Sequence, residues 1–325
     1  MKPPSRHGPA VAAAIAIAAA ATALSGCGSA SSNSSTSAAQ ATSPASAAAA
    51  FPVRVTPANG PVTIKTRPAR IVSLDPTSTE DLYAVGAGPQ VVAVDQNSNY
   101  PAGVPKTGLS GLTPNIEAIV RYNPGLVVAS QNSGGLVSAM TKLGVPVLIE
   151  PAVSTLDGAY GQIQQIGEAT GHAARAARVV AGMKQQIAAD VREAGTAHRG
   201  VSYYWELSAS PFYSATSSTF IGQVVGLFGL KNIADAVSKP ADGGYPQLSQ
   251  EFIVTAKPQV IFLADNQPAD GAQSPAVVAK RPGWSGIPAV ENHEIIGLND
   301  DIASRWGPRL PQLVAEIAAA IERLQ

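Results

Sequence analysis

Cysteine is nearly absent: Cys27 is the only one among 325 residues. A single thiol excludes an intramolecular disulfide and any cysteine-based zinc cluster. Histidine is scarce as well. His7, His172, His198 and His293 are scattered, which argues against a multi-histidine metal site. Neither charge sign is in excess, because 22 Lys and Arg balance 22 Asp and Glu. The chain therefore lacks both the basic footprint of a nucleic-acid partner and an acidic tail. Aromatic residues make up only 5%. Beyond the N-terminus no apolar run approaches the roughly 20 residues that a membrane-spanning helix needs. Enzyme signatures are missing too: there is no GxGxxG after a strand, no Gly-rich loop ending in Gly-Lys-Ser/Thr, no HExxH and no GxSxG. Asp75, Asp300 and Asp301 could serve as acid–base groups, but no nucleophile or metal cluster accompanies them.

What is present begins with a targeting segment. Lys2 and Arg6 precede an uncharged, Ala-rich run from Pro9 to Leu24. That run is shorter than a membrane span and suits a secretory signal core. It ends Leu24-Ser25-Gly26-Cys27, which resembles a bacterial lipobox. The resemblance implies cleavage after Gly26 and a diacylglycerol on the Cys27 thiol; the plainer reading is an uncleaved N-terminal helix with a chance cysteine. Residues 28 to about 50 are almost entirely small and polar, with no charge and no aromatic. Such a segment cannot bury enough apolar surface to offset its ordering entropy and is expected to be a flexible tether. Its root-mean-square reach is on the order of 25–30 Å.

From Arg70 onward short apolar runs alternate with helical patterns. Ile71–Leu74, Val91–Val94, Leu126–Ala129 and Val145–Ile149 read as strands. Helices are expected over Ser78–Val85 (opened by a Ser/Thr cap, with Glu80 and Asp81 in its first turn), Asn115–Tyr122 and Leu136–Leu143. The strands are continuous and β-branched, as in a parallel sheet buried on both faces. A second series holds strands at Val201–Tyr204, Val260–Leu263 and Ile295–Leu298, with helices near Phe220–Phe228, Gln250–Ala256 and Arg309–Leu324. Between them, small and apolar residues recur at helical spacing from Gly171 to Ala194, which predicts one long helix. The expectation is an α/β protein of two doubly wound lobes joined by a single long α-helix. Its boundaries are 1–26 for the signal peptide, 27–50 for the tether, 51–170 for the first lobe, 171–195 for the linker helix and 196–325 for the second lobe.

The two series repeat. Residues 115–129 (NIEAIVRYNPGLVVA) and 249–263 (SQEFIVTAKPQVIFL) align at a constant offset of 134. Glu117 then matches Glu251, Ile119 matches Ile253, Val120 matches Val254 and Pro124 matches Pro258. Generic helix–turn–strand grammar could give one such match, but several residues in register favour two related lobes.

With RIVSLDPTSTEDLYAVGAG (70–88), QLSQEFIVTAKPQVIFLA (247–264) and SRWGPRL (304–310), these segments resemble the class III substrate-binding proteins of ABC importers. This is the cobalamin and iron–siderophore group. The resemblance implies the class III periplasmic-binding fold and delivery of a bulky chelate to a permease dimer with its ATPase; with the enzyme signatures missing no catalysis is expected, the alternatives being an envelope enzyme or a sensor on a similar fold. It also implies that Glu117 and Glu251, one per lobe, dock onto permease arginines. The plainer reading is that each carboxylate complements a helix N-terminus. No resident cofactor is expected, since any metal arrives inside the chelate, and the only membrane contact expected is the lipid anchor.

In open α/β sheets ligands bind beyond the carboxyl ends of the strands. The candidate loops are Asp75–Thr79, Gln96–Tyr100, Ser130–Gly134, Trp205–Tyr213 and Asn299–Trp306. The ligand-binding candidates in them are Tyr100, Trp205, Tyr213, Arg305 and Trp306, as flat walls plus an Arg offering forked hydrogen bonds to anionic ligand edges. Each has a plainer reading: Trp205 as strand core, Tyr100 as turn packing, Arg305 as a surface ion pair. Arg309, at a helix start, is expected to hold scaffold contacts. The group's cobalamin binders place Trp in the first-lobe loops, whereas Trp205, Trp284 and Trp306 all lie in the second half here. That departure favours an iron–siderophore over cobalamin.

Overall fold

A computed structural model describes residues 51–266 and 273–324. The signal segment, Cys27 and the whole of the expected tether lie outside the described residues. An antiparallel hairpin of β1 (Val53–Val55) and β2 (Val62–Ile64) leads into the first lobe. That lobe is a parallel sheet of β3 (Ile71–Ser73), β4 (Val91–Val94), β5 (Leu126–Ala129) and β6 (Val147–Ile149), in the order β4-β3-β5-β6. The second lobe begins with β7 (Ser202–Glu206). A small three-stranded antiparallel sheet follows, made of β8 (Ser208–Ala209), β9 (Phe212–Tyr213) and, later in the chain, β11 (Gln247–Leu248). The main sheet is completed by β10 (Lys231–Asn232), β12 (Val260–Leu263) and β13 (Ile295–Gly297), in the order β10-β7-β12-β13. Numbered within each lobe, both main sheets run 2-1-3-4 and both are parallel.

The strands form where apolar runs can be covered on both faces. Every residue of β5 and β12 is buried, which is why their sequences are unbroken (LVVA, VIFL) rather than alternating. The repeat extends to the backbone. Asn123 (φ 46) and Lys257 (φ 49), also 134 residues apart, both adopt left-handed conformations just before the matched prolines. A non-glycine residue rarely takes that conformation, so its recurrence at one register marks the same turn in both lobes.

The long helix runs Ala173–Ala194, about 33 Å by the usual rise. It buries Ala176, Val180, Met183 and Ile187 along one stripe. Against it pack the helix Leu156–Thr170 of the first lobe and the C-terminal helix Leu310–Ile321. Gly167 allows the first of these contacts: a Cβ there would stand 2.3 Å from the Cβ of Ala176. One buried cluster therefore runs from Ile71, Leu82 and Val128 through Val180 and Ile187 to Tyr203, Phe262 and Ile317. The outer face of each sheet has its own smaller core, around Val72, Ile119 and Met140 in one lobe and Tyr204, Ile261 and Trp284 in the other. The long helix is thus the spine of a shared core.

Two local expectations change. The helix expected over Ser78–Val85 runs Pro76–Ala84, and its cap is Asp75, whose Oδ2 accepts from Ser78 N at 2.8 Å. Asp-Pro places a short acceptor at the cap and a pre-set φ at the first helical residue, which outcompetes Ser78. Glu80 and Asp81 therefore fall in mid-helix and are buried instead of lying in its first turn. The helix Leu156–Thr170 has no counterpart in the sequence reading. Glycines at 158, 161 and 167 weaken its intrinsic signal, and it is stabilised by a Thr155 cap and by packing.

Candidate functional site

The carboxyl ends of the first-lobe strands meet a second-lobe loop across a cleft of about 510 Å³. Asp75, Thr77, Gln96, Asn97 and Asn99 line it from the first lobe, and Asp301, Ser304, Arg305 and Trp306 from the second. They belong to three of the five expected loops. The short helix Asp300–Ala303, capped by Asn299, positions Asp301 and starts the turn that carries Arg305 and Trp306. A smaller hollow of about 310 Å³ is lined by Glu80, Tyr83, Tyr100 and Arg309 among others.

At the cleft, ion pairs join the two lobes. Glu80, buried in the first lobe, accepts from Arg305 Nη1 at 2.7 Å. It also accepts from Arg309 through Nε at 2.8 Å and Nη2 at 2.5 Å. Arg305 further donates to Asn99 Oδ1 (2.9 Å), to the Asn97 carbonyl (3.3 Å) and to Asp301. Asn99 Nδ2 donates to the other oxygen of Asp301 at 2.7 Å. Trp306 Nε1 donates across the lobes to Gln162 Oε1 at 2.7 Å. Gly307 lets the chain approach closely here, because a Cβ would meet Asp81 Oδ1 and Thr77 Cγ2, each at 3.3 Å.

Beneath this contact sit more carboxyls than partners. Burial raises Asp81 well above its ordinary range, helped by the neighbouring charges of Asp75, Glu80 and Glu150. Its Oδ1 has no hydrogen-bond partner, in keeping with a neutral acid. Burial also raises Asp75, and it lifts Glu150 from 4.5 to about 7. Between those two values the folded chain holds the Glu150 proton and the unfolded chain has released it. Stability therefore falls as pH rises from about 4.5 to about 7 and is level in this group beyond that. Glu150→Gln, which keeps an uncharged partner for Gln165 Nε2 (now 2.6 Å from Glu150 Oε1), is expected to flatten that fall. Melting curves between pH 4.5 and 8 for both proteins check it; an unchanged slope in the variant refutes it.

The sequence candidates divide. Arg305 and Trp306 line the cleft, and Tyr100 lines the adjoining hollow, 41% exposed with the Arg309 guanidinium 4.3 Å from its ring centre. Trp205 does not reach the cleft. It is fully buried in β7 against Phe262, because β7 is covered on both faces and its residues 203 and 205 point into the shared core. Tyr213 is 40% exposed in β9 and lines neither hollow. Arg305 is not the open fork expected for anionic ligands, since four of its five N–H groups are already taken by protein acceptors. Arg309 makes the scaffold contacts expected of it. Sequence reasoning missed Glu80 as their partner, because it sits among the polar residues Thr77, Ser78, Thr79 and Asp81 and reads as an exposed helix-start acid.

Glu117 and Glu251 are both exposed and occupy the second position of the helices Ile116–Val120 and Gln250–Ala256. Asn115 and Ser249 cap those helices through Ala118 N (3.0 Å) and Phe252 N (3.1 Å). Among the described residues no group of three or more His, Cys, Asp or Glu side chains could hold a metal ion. No helix among them is long and apolar enough to cross a membrane.

Comparison with known proteins agrees with this architecture. Residues 71–302 match the family model described as periplasmic binding protein. YvrC of Bacillus subtilis, an ABC transporter substrate-binding lipoprotein by name, is 33% identical over 280 residues, covering 83% of this chain and 86% of its own. A cobalamin-binding protein of Halobacterium salinarum is 30% identical, covering 83% of this chain and 74% of its own. Among solved structures, the vitamin B12 binding protein BtuF of Vibrio cholerae superposes with TM-score 0.64 at 26% identity, over 78% of this chain and 97% of that one. The heme-binding protein RhuT of Roseiflexus sp. RS-1 gives 0.67 at 26% identity, over the same shares. Two lobes of matched topology on one helical spine, a cleft fed by both, and a family match spanning the two lobes lead to one assignment: the chain belongs to the periplasmic binding protein family, with its class III fold.

Proposed function

We propose that this chain is the lipid-anchored, extracytoplasmic substrate-binding component of an ABC importer. It captures a bulky metal chelate in the interlobe cleft and delivers it to a permease dimer driven by an ATPase. The observation that carries the reading is a cleft lined from both lobes beyond the strand ends, the place where an open α/β sheet receives a ligand. The name of YvrC, an ABC transporter substrate-binding lipoprotein, supports the transport role and the anchor at Cys27. The metal belongs to the cargo, and the chain itself performs no catalysis. For the cargo, the absence of tryptophan from the first lobe favours a ferric siderophore. The cobalamin-binding relative favours a corrinoid as the second reading.

One measurement tests anchor and cargo together. Native mass spectrometry of protein taken from membranes of its own host is expected to show a chain beginning at Cys27 with a diacylglycerol added. It is also expected to show a non-covalent chelate adduct from iron-restricted or cobalamin-supplied cells. An unmodified chain starting at Met1 refutes the anchor; bare protein under both conditions refutes the chelate reading.

A further inference from the structure

We propose that the cleft selects chelates whose contacting edge is uncharged or cationic and rich in amide or hydroxamate groups, and that it discriminates against chelates that present carboxylates. This rests on the chelate-binding reading above. Among the described residues, Arg305 is the only basic residue that lines the cleft. Its side chain is 9% exposed and its guanidinium is bound to Glu80, Asp301, Asn99 and the Asn97 carbonyl, so no fork is left to clasp a carboxylate. Arg309, in the adjoining hollow, donates to both oxygens of Glu80 and stacks on Tyr100. A third arginine near the strand ends is spent in the same way: Arg281 forms a two-point pair with Glu206, the last residue of β7, at 2.6 and 2.7 Å.

The groups left facing the cleft are acids and neutral polar side chains. Asp75 and the partly exposed Asp301 carry oxygens, those of Asp301 already accepting from Arg305 and Asn99; Gln96, Asn97, Thr77 and Ser304 offer both donors and acceptors. Such a wall pairs with amides and hydroxamates, which also donate and accept. A carboxylate entering it would be desolvated beside two acids with no free cation, which costs binding energy.

The test is calorimetric titration of the purified protein with four probes. Cyanocobalamin presents uncharged amides and ferrioxamine B is a cationic hydroxamate; hemin and ferric citrate present carboxylates. At least one of the first two is expected to bind ten-fold or more tightly than either carboxylate probe. Asp301→Asn, checked for folding by its melting curve, is expected to narrow that gap by at least three-fold through tighter binding of a carboxylate probe. Wild-type protein that binds hemin or ferric citrate more tightly than both others overturns the charge selection while leaving the chelate reading intact. A gap unmoved in a folded Asp301→Asn variant overturns the role given to Asp301. Failure of all four probes to bind sinks the chelate reading and the selection with it.

Discussion

Reversing the two exposed, lobe-matched carboxylates, Glu117→Arg with Glu251→Arg, is expected to reduce uptake at least ten-fold while leaving chelate affinity within about two-fold of wild type. The argument rests on position. Both side chains are exposed at the second residue of a short helix, in matched places on two lobes of the same topology. Neither lines the cleft. Their local work is to complement helix N-termini, worth about 0.3–1 kcal/mol each. The caps that satisfy backbone donors come from Asn115 and Ser249 and survive the substitutions. The fold therefore loses about 0.6–2 kcal/mol of favourable charge–helix interaction and up to about as much again from the reversed sign, a shift of several degrees in melting temperature. A permease that offers arginines to these points would instead meet like charge at both contacts, which slows encounter and disfavours the docked state. Proteoliposome uptake and permease pull-down, at matched protein levels, decide between the two roles. Normal transport by the double variant would reduce Glu117 and Glu251 to helix-end charges.

The same repeat shows how far the sequence carries and where it stops. The offset of 134 was legible because helix, turn and strand each leave a local mark: a cap, a proline, an unbroken apolar run. The left-handed Asn123 and Lys257 left no such mark, since neither is a glycine, yet they obey the same offset. The long helix was legible from its periodic small residues. The helix Leu156–Thr170 was not, because Gly158, Gly161 and Gly167 weaken its propensity, and Gly167 serves packing against Ala176. Trp205 illustrates a limit of pattern. In a strand buried on both faces, successive side chains alternate between two cores and none need face solvent or ligand, so an aromatic at the strand end carries no sign of its direction. The polar wall of the cleft was reached only in part. Arg305 and Trp306 stood out as residue types, whereas Thr77, Gln96, Asn97 and Asn99 are unremarkable until the lobes bring them opposite Asp301.

The deepest gap between sequence and site is Glu80, and removing it should have the largest effect on stability. Its partners lie 225 and 229 residues away, so no window of local sequence contains the pair. The carboxylate is buried, and the side chains of Arg305 and Arg309 are 9% and 11% exposed. Glu80→Ala leaves both cations without the acceptor that offsets their desolvation. Breaking a buried pair in this way costs about 3–5 kcal/mol, well above the gain from an exposed one. For a folded part of this size the melting temperature is expected to fall on the order of 10 °C. The loss should be strongly non-additive. In Glu80→Ala/Arg305→Leu/Arg309→Leu the two buried cations are gone and Asp301, which loses Arg305, is partly exposed to water, so part of the stability is expected to return despite two further substitutions. The charge argument requires that recovery; a general packing defect would predict a further fall. Thermal or urea denaturation of the single and triple variants separates them. A Glu80→Ala protein melting within about 2 °C of wild type would mean that the three side chains do not form this buried contact in solution.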